Sequence, residues 1–379
     1  MNQKISLILG GALVLLVLVA IVLIPAFFQA PASAIPLATT TPVRPLTVNC
    51  MIGSEKQPLL DDPEAQKLLR DRYLLSVIYK TKGSMDQVTL PADQTTDLDC
   101  LWPSNISASL IYQKLNPSYR GSPVPVLFSP LVIYSTIEAR DILKQAGYVE
   151  QRGNQYFIVK MNELVKREIL AGKTWQNLNA PNLKGPIKIQ STDPGRSNSG
   201  FLLFGLYANV AANDAYTPSS ADDASKVLPL LKKLKDLQGL QFTGSEDAFN
   251  NWYAQSGFGA PLLAAYESQI LEKSVADAQF KDKYGPQIYT LYPEPSVQAV
   301  HVIIPLTANA HRLIDAMRDP DIQSLAWKKH GFRSLVGAAN DPKDFSQLSV
   351  PQNIQTTDLP SVEMIGKMLD CLRDSTLCQ

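Results

Sequence analysis

Apolar and polar residues alternate with period two over 46–52 (Leu46-Thr47-Val48-Asn49-Cys50-Met51-Ile52), which predicts a strand. Gly53-Ser54-Glu55-Lys56 then reads as a turn, and 63–72 sets Ala65, Leu68 and Leu69 at helical spacing behind Pro63. The same order recurs. Strands are predicted at 74–79, before Gly83-Ser84-Met85-Asp86, and at 98–102, before Pro103-Ser104-Asn105. A stronger apolar run covers 124–134, broken at Ser129-Pro130 and followed by Ser135. Helices are predicted at 138–145 and at 162–171, the latter ending at Gly172. A strand at 187–190 leads into a long apolar helix from 201 onward. Lysine-rich 224–237 and 246–255 are amphipathic helices, and 261–270 carries an apolar strand ending in Tyr266-Glu267-Ser268. Strands at 288–292 and 300–306 and helices at 309–318 and 321–329 follow, with no internal repeat.

Strands alternating with helices predict an α/β protein built on doubly wound, parallel sheets. Such sheets bind ligands at the carboxyl ends of their strands. Ser54, Ser84, Ser104 and Ser135 would fall at that edge. The densest cluster of binding groups is Ser191-Thr192-Asp193-Pro194-Gly195-Arg196-Ser197-Asn198-Ser199-Gly200, between the predicted strand at 187–190 and the apolar helix. A strand, a Gly/Ser/Asn loop and a helix start present free backbone N–H groups to a polar or anionic ligand. Ser197, Asn198 and Ser199 add side-chain donors, and Arg196 adds a planar cationic fork. The plainer reading of the same residues is a helix cap.

The segment 5–24 is uncharged and apolar, with only Lys4 before it. Twenty residues at ~1.5 Å each span the ~30 Å hydrocarbon core, so length favours an uncleaved transmembrane anchor over a signal peptide. Ala32-Ser33-Ala34 also offers a small-x-small cleavage site. Either way the remainder is expected to be extracytoplasmic, and Lys4 on the short side agrees with the positive-inside rule. Residues 25–45, rich in Pro, Ala and Thr, read as a linker. Four cysteines in an exported chain favour disulfides. Cys371 and Cys378 could close a short loop, while Cys50 and Cys100 could either pair across neighbouring strands or stay as buried thiols.

Charge excludes some functions. With 35 basic and 35 acidic residues and no basic run, nucleic acid is not an expected partner. His301, His311 and His330 lack metal-ligand spacing, and there is no GxSxG, Walker or GxGxxG motif. No enzyme, metal or cofactor is therefore expected. The scattered Trp102, Trp175, Trp252 and Trp327 read as core, with Trp102 and Trp252 the candidate platforms if the ligand is a carbohydrate.

Taken in order, several motifs resemble one family. They are Gly53-Ser54-Glu55, Gly83-Ser84, Thr174-Trp175-Gln176-Asn177-Leu178, Asp193-Pro194 through Gly200, Tyr266-Glu267 and Gly331-Phe332-Arg333. Over about 46–335 the chain resembles bacterial extracytoplasmic solute-binding proteins of the type-2 (Venus-flytrap) fold, most closely the molybdate-, sulfate- and phosphate-type branch. The resemblance implies two α/β lobes joined by crossing strands, about 46–136 with 298–379, and 137–297. It implies hinges near Ser135–Ile137 and Glu294–Gln298. Ser54, Glu55, Ser84 and Ser104 would line one side of the cleft, and Arg196, Ser197, Asn198, Ser199, Tyr266 and Glu267 the other. The implied function is capture of a small polar or anionic solute for an ABC-type permease. The alternative is a membrane-tethered sensing or assembly module of the same fold. Glu55, Glu267 and Asp193 depart from what a dianion site needs, because like charge in a low-dielectric cleft costs several kcal/mol unless paired.

Overall fold

The apolar run at 124–134 forms the longest strand, Val124–Thr136, and the architecture is arranged around it. The structure, a computed structural model, describes residues 44–335 and 340–378. In chain order the first elements are β1 (Leu46–Ile52), α1 (Pro63–Tyr73), β2 (Leu75–Thr81), a short α2 (Ser84–Val88), β3 (Cys100–Trp102) and α3 (Ile106–Leu115). After the long strand, β4, come α4 (Ile137–Gln145), β5 (Val149–Arg152), β6 (Gln155–Ile158), α5 (Asn198–Ala212), α6 (Ala224–Asp236) and α7 (Ser245–Ala254). The chain continues through β7 (Leu262–Tyr266), α8 (Glu267–Ala276), β8 (Ile288–Pro293), β9 (Gln298–Pro305), α9 (Ala310–Met317), α10 (Pro320–His330), β10 (Arg333–Ser334) and α11 (Val362–Arg373).

β4 belongs to two groups of strands. Its first half pairs with β9 and β10, completing the order β2-β1-β3-β9-β4. Its second half, from Leu131, pairs with β7 and β8, and β8 continues to β6 and β5. The changeover lies at Pro130–Leu131, where the break in the apolar run falls. Ser135 sits inside β4 opposite Leu262 and Tyr289, away from the binding edge. The sheet is mixed, which corrects the expectation of parallel sheets. β1 is parallel to β2 and β3, and β6 to β8, but β4 is antiparallel to β7, β8 and β9. The chain returns past β4 by way of β8 and β9, so those strands run opposite to it.

Each group has its own core. Val48, Ile52, Leu59, Trp102, Ile303 and Phe332 pack in one; Ile158, Ile187, Phe204, Val227 and Leu291 pack in the other. α5 is buried along its whole length, as expected of a helix apolar on every side. Its Gly200 lets the helix press against the Thr192 carbonyl, where any Cβ would collide. α11, which the sequence reading did not single out, touches both groups. Met364, Met368 and Leu372 join the core of α5 and α6, while Ile365 and Leu369 join Leu101, Ala108 and Ile304. The expected strand at 187–190 makes only one isolated bridge, Gln190 to Leu263.

Both cysteine pairs form disulfides. Cys50–Cys100 joins neighbouring, in-register positions of β1 and β3, and Cys371–Cys378 closes the end of α11. The anchor expected at 5–24, and the linker up to 43, lie outside the described residues. Among the described residues no helix is long and apolar enough to cross a membrane.

The Cys50–Cys100 link closes a 50-residue separation, so its loss should release substantial chain entropy in the unfolded state. The double variant Cys50→Ala/Cys100→Ala is expected to lose about 2–4 kcal/mol in urea denaturation. A midpoint equal to that of the parent would mean that the β1–β3 core alone holds this edge.

Candidate functional site

Because β1, β2 and β3 are parallel, the turns that follow them lie on one edge of the sheet. Gly53-Ser54-Glu55 follows β1, Gly83-Ser84 follows β2 and Ser104 follows β3. From the other strand group, the starts of α5 and α7 and the end of β7 approach the same edge. Between them lies a cavity of about 200 Å³. That is below the ~300–1,000 Å³ of drug-sized sites and suits a small solute.

The two sides also touch directly. The Arg196 carbonyl accepts hydrogen bonds from Met85 N (3.1 Å) and Asp86 N (3.4 Å), in the first turn of α2. Position 83 must be glycine for this approach, since a Cβ there would run into that carbonyl. Arg196 Nε donates to Asp86 Oδ2 (2.9 Å), and Glu246 N donates to Ser54 Oγ (3.3 Å). Asn198 Nδ2 donates to the Ser104 carbonyl (2.8 Å) and to Tyr266 Oη (3.0 Å). Arg373 of α11 adds bonds to Gly195 O (2.9 Å) on one side and Met85 O (3.2 Å) on the other.

A buried charged group forms the wall behind Ser54. Lys56 Nζ lies 2.6 Å from Glu55 Oε1 and donates to Ser104 Oγ (2.8 Å), and Ser104 Oγ donates to Glu55. His301 Nδ1 lies 3.5 Å from Glu55 Oε1, and both ring nitrogens lack hydrogen-bond partners. Burial opposes ionisation of Glu55, yet the Lys56 charge and hydrogen bonds from Lys56 and the Ser104 hydroxyl hold its carboxyl at about 2. Burial pushes Lys56 below its usual range, and Glu55 offsets part of that. For His301, burial and the nearby Lys56 charge keep the ring neutral against the pull of Glu55. Removing one partner of such a pair strands a buried charge, at a cost of about 3–5 kcal/mol.

Seven of the sequence-predicted residues, Ser54, Glu55, Ser84, Arg196, Ser197, Asn198 and Tyr266, line the cavity. Three do not. Ser104 is fully buried behind Glu55, bonded to the Glu55–Lys56 pair. Ser199 Oγ turns to Thr192 Oγ1 (2.8 Å) and Ser245 Oγ (3.0 Å), inside its own side of the molecule. Glu267 is fully buried in a two-pronged pair with Arg333 (2.7 and 3.0 Å) and accepts from Tyr292 Oη. The sequence reading missed Lys82, Asp86, Ser245 and Asp247, which also line the cavity. The signal for the last two was the Gly244-Ser245 turn before α7, which matches the Gly-Ser turns after β1 and β2. Among the described residues, no group of three or more His, Cys, Asp or Glu side chains is placed to hold a metal ion.

No protein-family model matches the sequence. No curated protein sequence matches it either. Solved structures do. A periplasmic thiamin binding protein superposes with TM-score 0.56 at 13% identity, over 88% of this chain and 95% of that one. Apo ferric ion-binding protein A of Pasteurella haemolytica gives 0.53 at 15% identity, over 88% and 98%. Iron-bound HitA of Pseudomonas aeruginosa gives 0.53 at 12% identity, over 87% and 99%. The chain thus has the two-lobed α/β fold of type-2 periplasmic binding proteins.

The buried pair makes the protein acid-sensitive in two stages. The native His301 ring takes up a proton only well below 6.5, so the unfolded chain binds more protons as pH falls through 6.5 and stability declines. Glu55 adds a second decline from 4.5 down towards 2, where only the unfolded carboxylate is protonated. His301→Leu is expected to flatten the first stage and keep the second, read from urea midpoints between pH 7.5 and 3. An unchanged slope between pH 6.5 and 5 in the variant would refute the role given to His301.

Proposed function

We propose that this protein is an extracytoplasmic solute receptor. One lobe runs from 46 to about 130 and resumes at 298; the other covers about 131–297, and α11 lies across both. A small polar solute is captured between them and passed to an ABC-type membrane permease, and the apolar segment 5–24 tethers the receptor to the membrane. The observation that supports this most directly is the composition of the cavity wall. Ser54 and Ser84 come from one lobe, and Ser197, Asn198 and Tyr266 from the other. A solute bonded to both sets favours the closed arrangement through contacts that an open one lacks. Structures sharing the fold carry names of thiamin and ferric ion receptors, so the fold accommodates unlike solutes. A second reading, a tethered sensing or assembly module, draws support from the direct bonds of Arg196 O to α2 and from the position of α11 across both lobes.

A thermal-shift and calorimetric screen of the purified chain tests the receptor reading. A solute at ~100 times its dissociation constant adds about 2.7 kcal/mol, worth roughly 4 °C for a domain of about 330 residues. Ser197→Ala is expected to weaken binding about tenfold, the worth of one hydrogen bond. Ser199→Ala, whose hydroxyl stays inside its own lobe, is expected to lower stability and leave affinity unchanged. Equal losses of affinity in the two variants would overturn this view of the wall. A screen without any shift would favour the assembly module.

A further inference from the structure

His330, the last residue of α10, is buried, and both of its ring nitrogens lack hydrogen-bond partners. Each faces a carboxylate at the same distance. Nε2 lies 3.5 Å from Asp62 Oδ2, and Nδ1 lies 3.5 Å from Glu272 Oε2. The two carboxylates belong to different strand groups. Asp62 caps α1, which packs in the core of Val48 and Ile52, while Glu272 is on α8, which packs with Tyr134 and Leu263. Gly331 brings the end of α10 directly onto α8, since a Cβ there would collide with Leu271 and the Ser268 carbonyl. Asp62 has only Oδ2 to offer the ring, because Oδ1 already accepts from Glu64 N (2.7 Å) and Ala65 N (3.1 Å). Lys329 Nζ lies 3.3 Å from Asp62 Oδ2 and 2.8 Å from Glu64 Oε2, so three carboxylates share one lysine and the cluster carries excess negative charge. Glu272 also feels Glu246 of α7, whose carboxyl burial pushes above its usual range and which in turn feels Lys273. On the other elements around α10, Arg333 is held by Glu267, Asp61 by Tyr79 and Asp344 by Trp327, and Asp315 of α9 acts on Tyr73.

A neutral imidazole has one N–H donor and one lone pair, whereas a carboxylate only accepts. Between two carboxylates a neutral ring therefore turns its lone pair on one of them. An imidazolium donates to both. Its charge is also favoured at the carbonyl end of a helix, where His330 stands. Imidazole is the side chain whose charge changes between about pH 5 and 8. We infer that His330 is a proton-operated clasp between the two strand groups. As the imidazolium it donates from Nε2 to Asp62 and from Nδ1 to Glu272, closing the two 3.5 Å gaps and tying α1 to α8 across the end of α10. As the neutral ring it engages one carboxylate and releases the other. Gln269 of α8 accepts from Tyr266 N (3.1 Å) and donates to the Ser245 carbonyl (3.1 Å), both residues of the cavity wall. The clasp thus holds the helix on which that wall rests, and it operates whether or not a solute is bound.

Hydrogen exchange of the purified full-length chain, read by mass spectrometry, tests this. His330→Gln keeps one donor and one acceptor, the inventory of the neutral ring. Parent and variant are compared with each other at pH 8 and again at pH 5.5, so that the intrinsic dependence of exchange on pH cancels. At pH 8 the two are expected to match. At pH 5.5 peptides covering 62–73 and 267–276 should exchange about three- to tenfold more slowly in the parent, the worth of one hydrogen bond. The β5–β6 hairpin, 149–158, should be unaffected. Glu272→Gln, at a partly exposed carboxylate, should keep the fold and remove the acid-dependent protection from 267–276; it decides the matter if His330→Gln fails to fold. Equal exchange of the parent and both variants at pH 5.5 would overturn the inference. A difference of the same size at both pH values would also overturn it, since His330 would then be a structural contact without a proton-dependent role.

Discussion

The pairing of one strand with two sets of partners is the constraint on which the rest depends. β4 is buried on both faces along most of its length, so its backbone groups must be met by neighbouring strands and not by water. Its first half meets β9 and β10, and its second half meets β7 and β8. That single requirement sets two cores side by side. It also aligns the carboxyl edge of β1–β3 with the starts of α5 and α7. The changeover at Pro130–Leu131 explains why the apolar run carries Ser129-Pro130 in its middle: Pro130 ends the ladder with β9, and Ser129 Oγ accepts from Ser268 N at 3.0 Å. The residues that looked like an interruption are where one strand changes partners.

Contacts across the cleft have a different character from those inside each lobe. They are few, directional and mostly polar: the Arg196 carbonyl at α2, the Arg196–Asp86 pair, Asn198 to the Ser104 carbonyl, and Arg373 with bonds to both sides. Polar contacts of this kind exchange with water at little net cost, about 0.5–1.5 kcal/mol each. α11 works against wide opening, because its apolar residues are shared between the two cores. The two strand groups are thus joined on that side by hydrophobic burial and at the cavity by individual hydrogen bonds.

Much of this was legible in the sequence. Period-two alternation placed β1, a continuous apolar run placed β4, and the Gly-Ser turns located the edge where the cavity lies, since glycine and serine there serve close approach and hydrogen bonding. The cluster at 196–198 and Tyr266 reached the cavity as read. What failed had physical reasons. Ser199 and Glu267 have the right chemistry at the right place in the chain, but one residue along a helix turns a side chain by about 100°, and local sequence does not say which one faces the cleft. Glu267 was claimed by Arg333, 66 positions away. His301 gave no local signal at all, because its approach to Glu55 depends on β9 returning beside β3, and nothing in Glu55-Lys56 itself says that this neighbouring pair is buried. α11 carries an apolar stripe at helical spacing (Met364, Ile365, Met368, Leu369, Leu372) that the sequence reading did not pick out; what local sequence could not give is that the stripe lies against two cores at once.

The buried Glu55–Lys56 pair bears on what the cleft can hold. Such a pair seldom stabilises a fold more than apolar residues of equal volume would. Its effect here is electrostatic. Glu55 lines the cavity as a carboxylate that stays ionised at any physiological pH, while Lys56, fully buried behind it, supplies the counter-charge. At contact distance the cavity wall there is an acceptor; a few ångströms further out the pair acts as a neutral dipole. With Asp86 and Arg196 likewise cancelling, the cavity carries no net positive field of the kind that would draw in a dianion. On the receptor reading proposed above, selectivity would come from the placement of individual donors and acceptors, and the wall supplies serine hydroxyls and one fixed carboxylate for it.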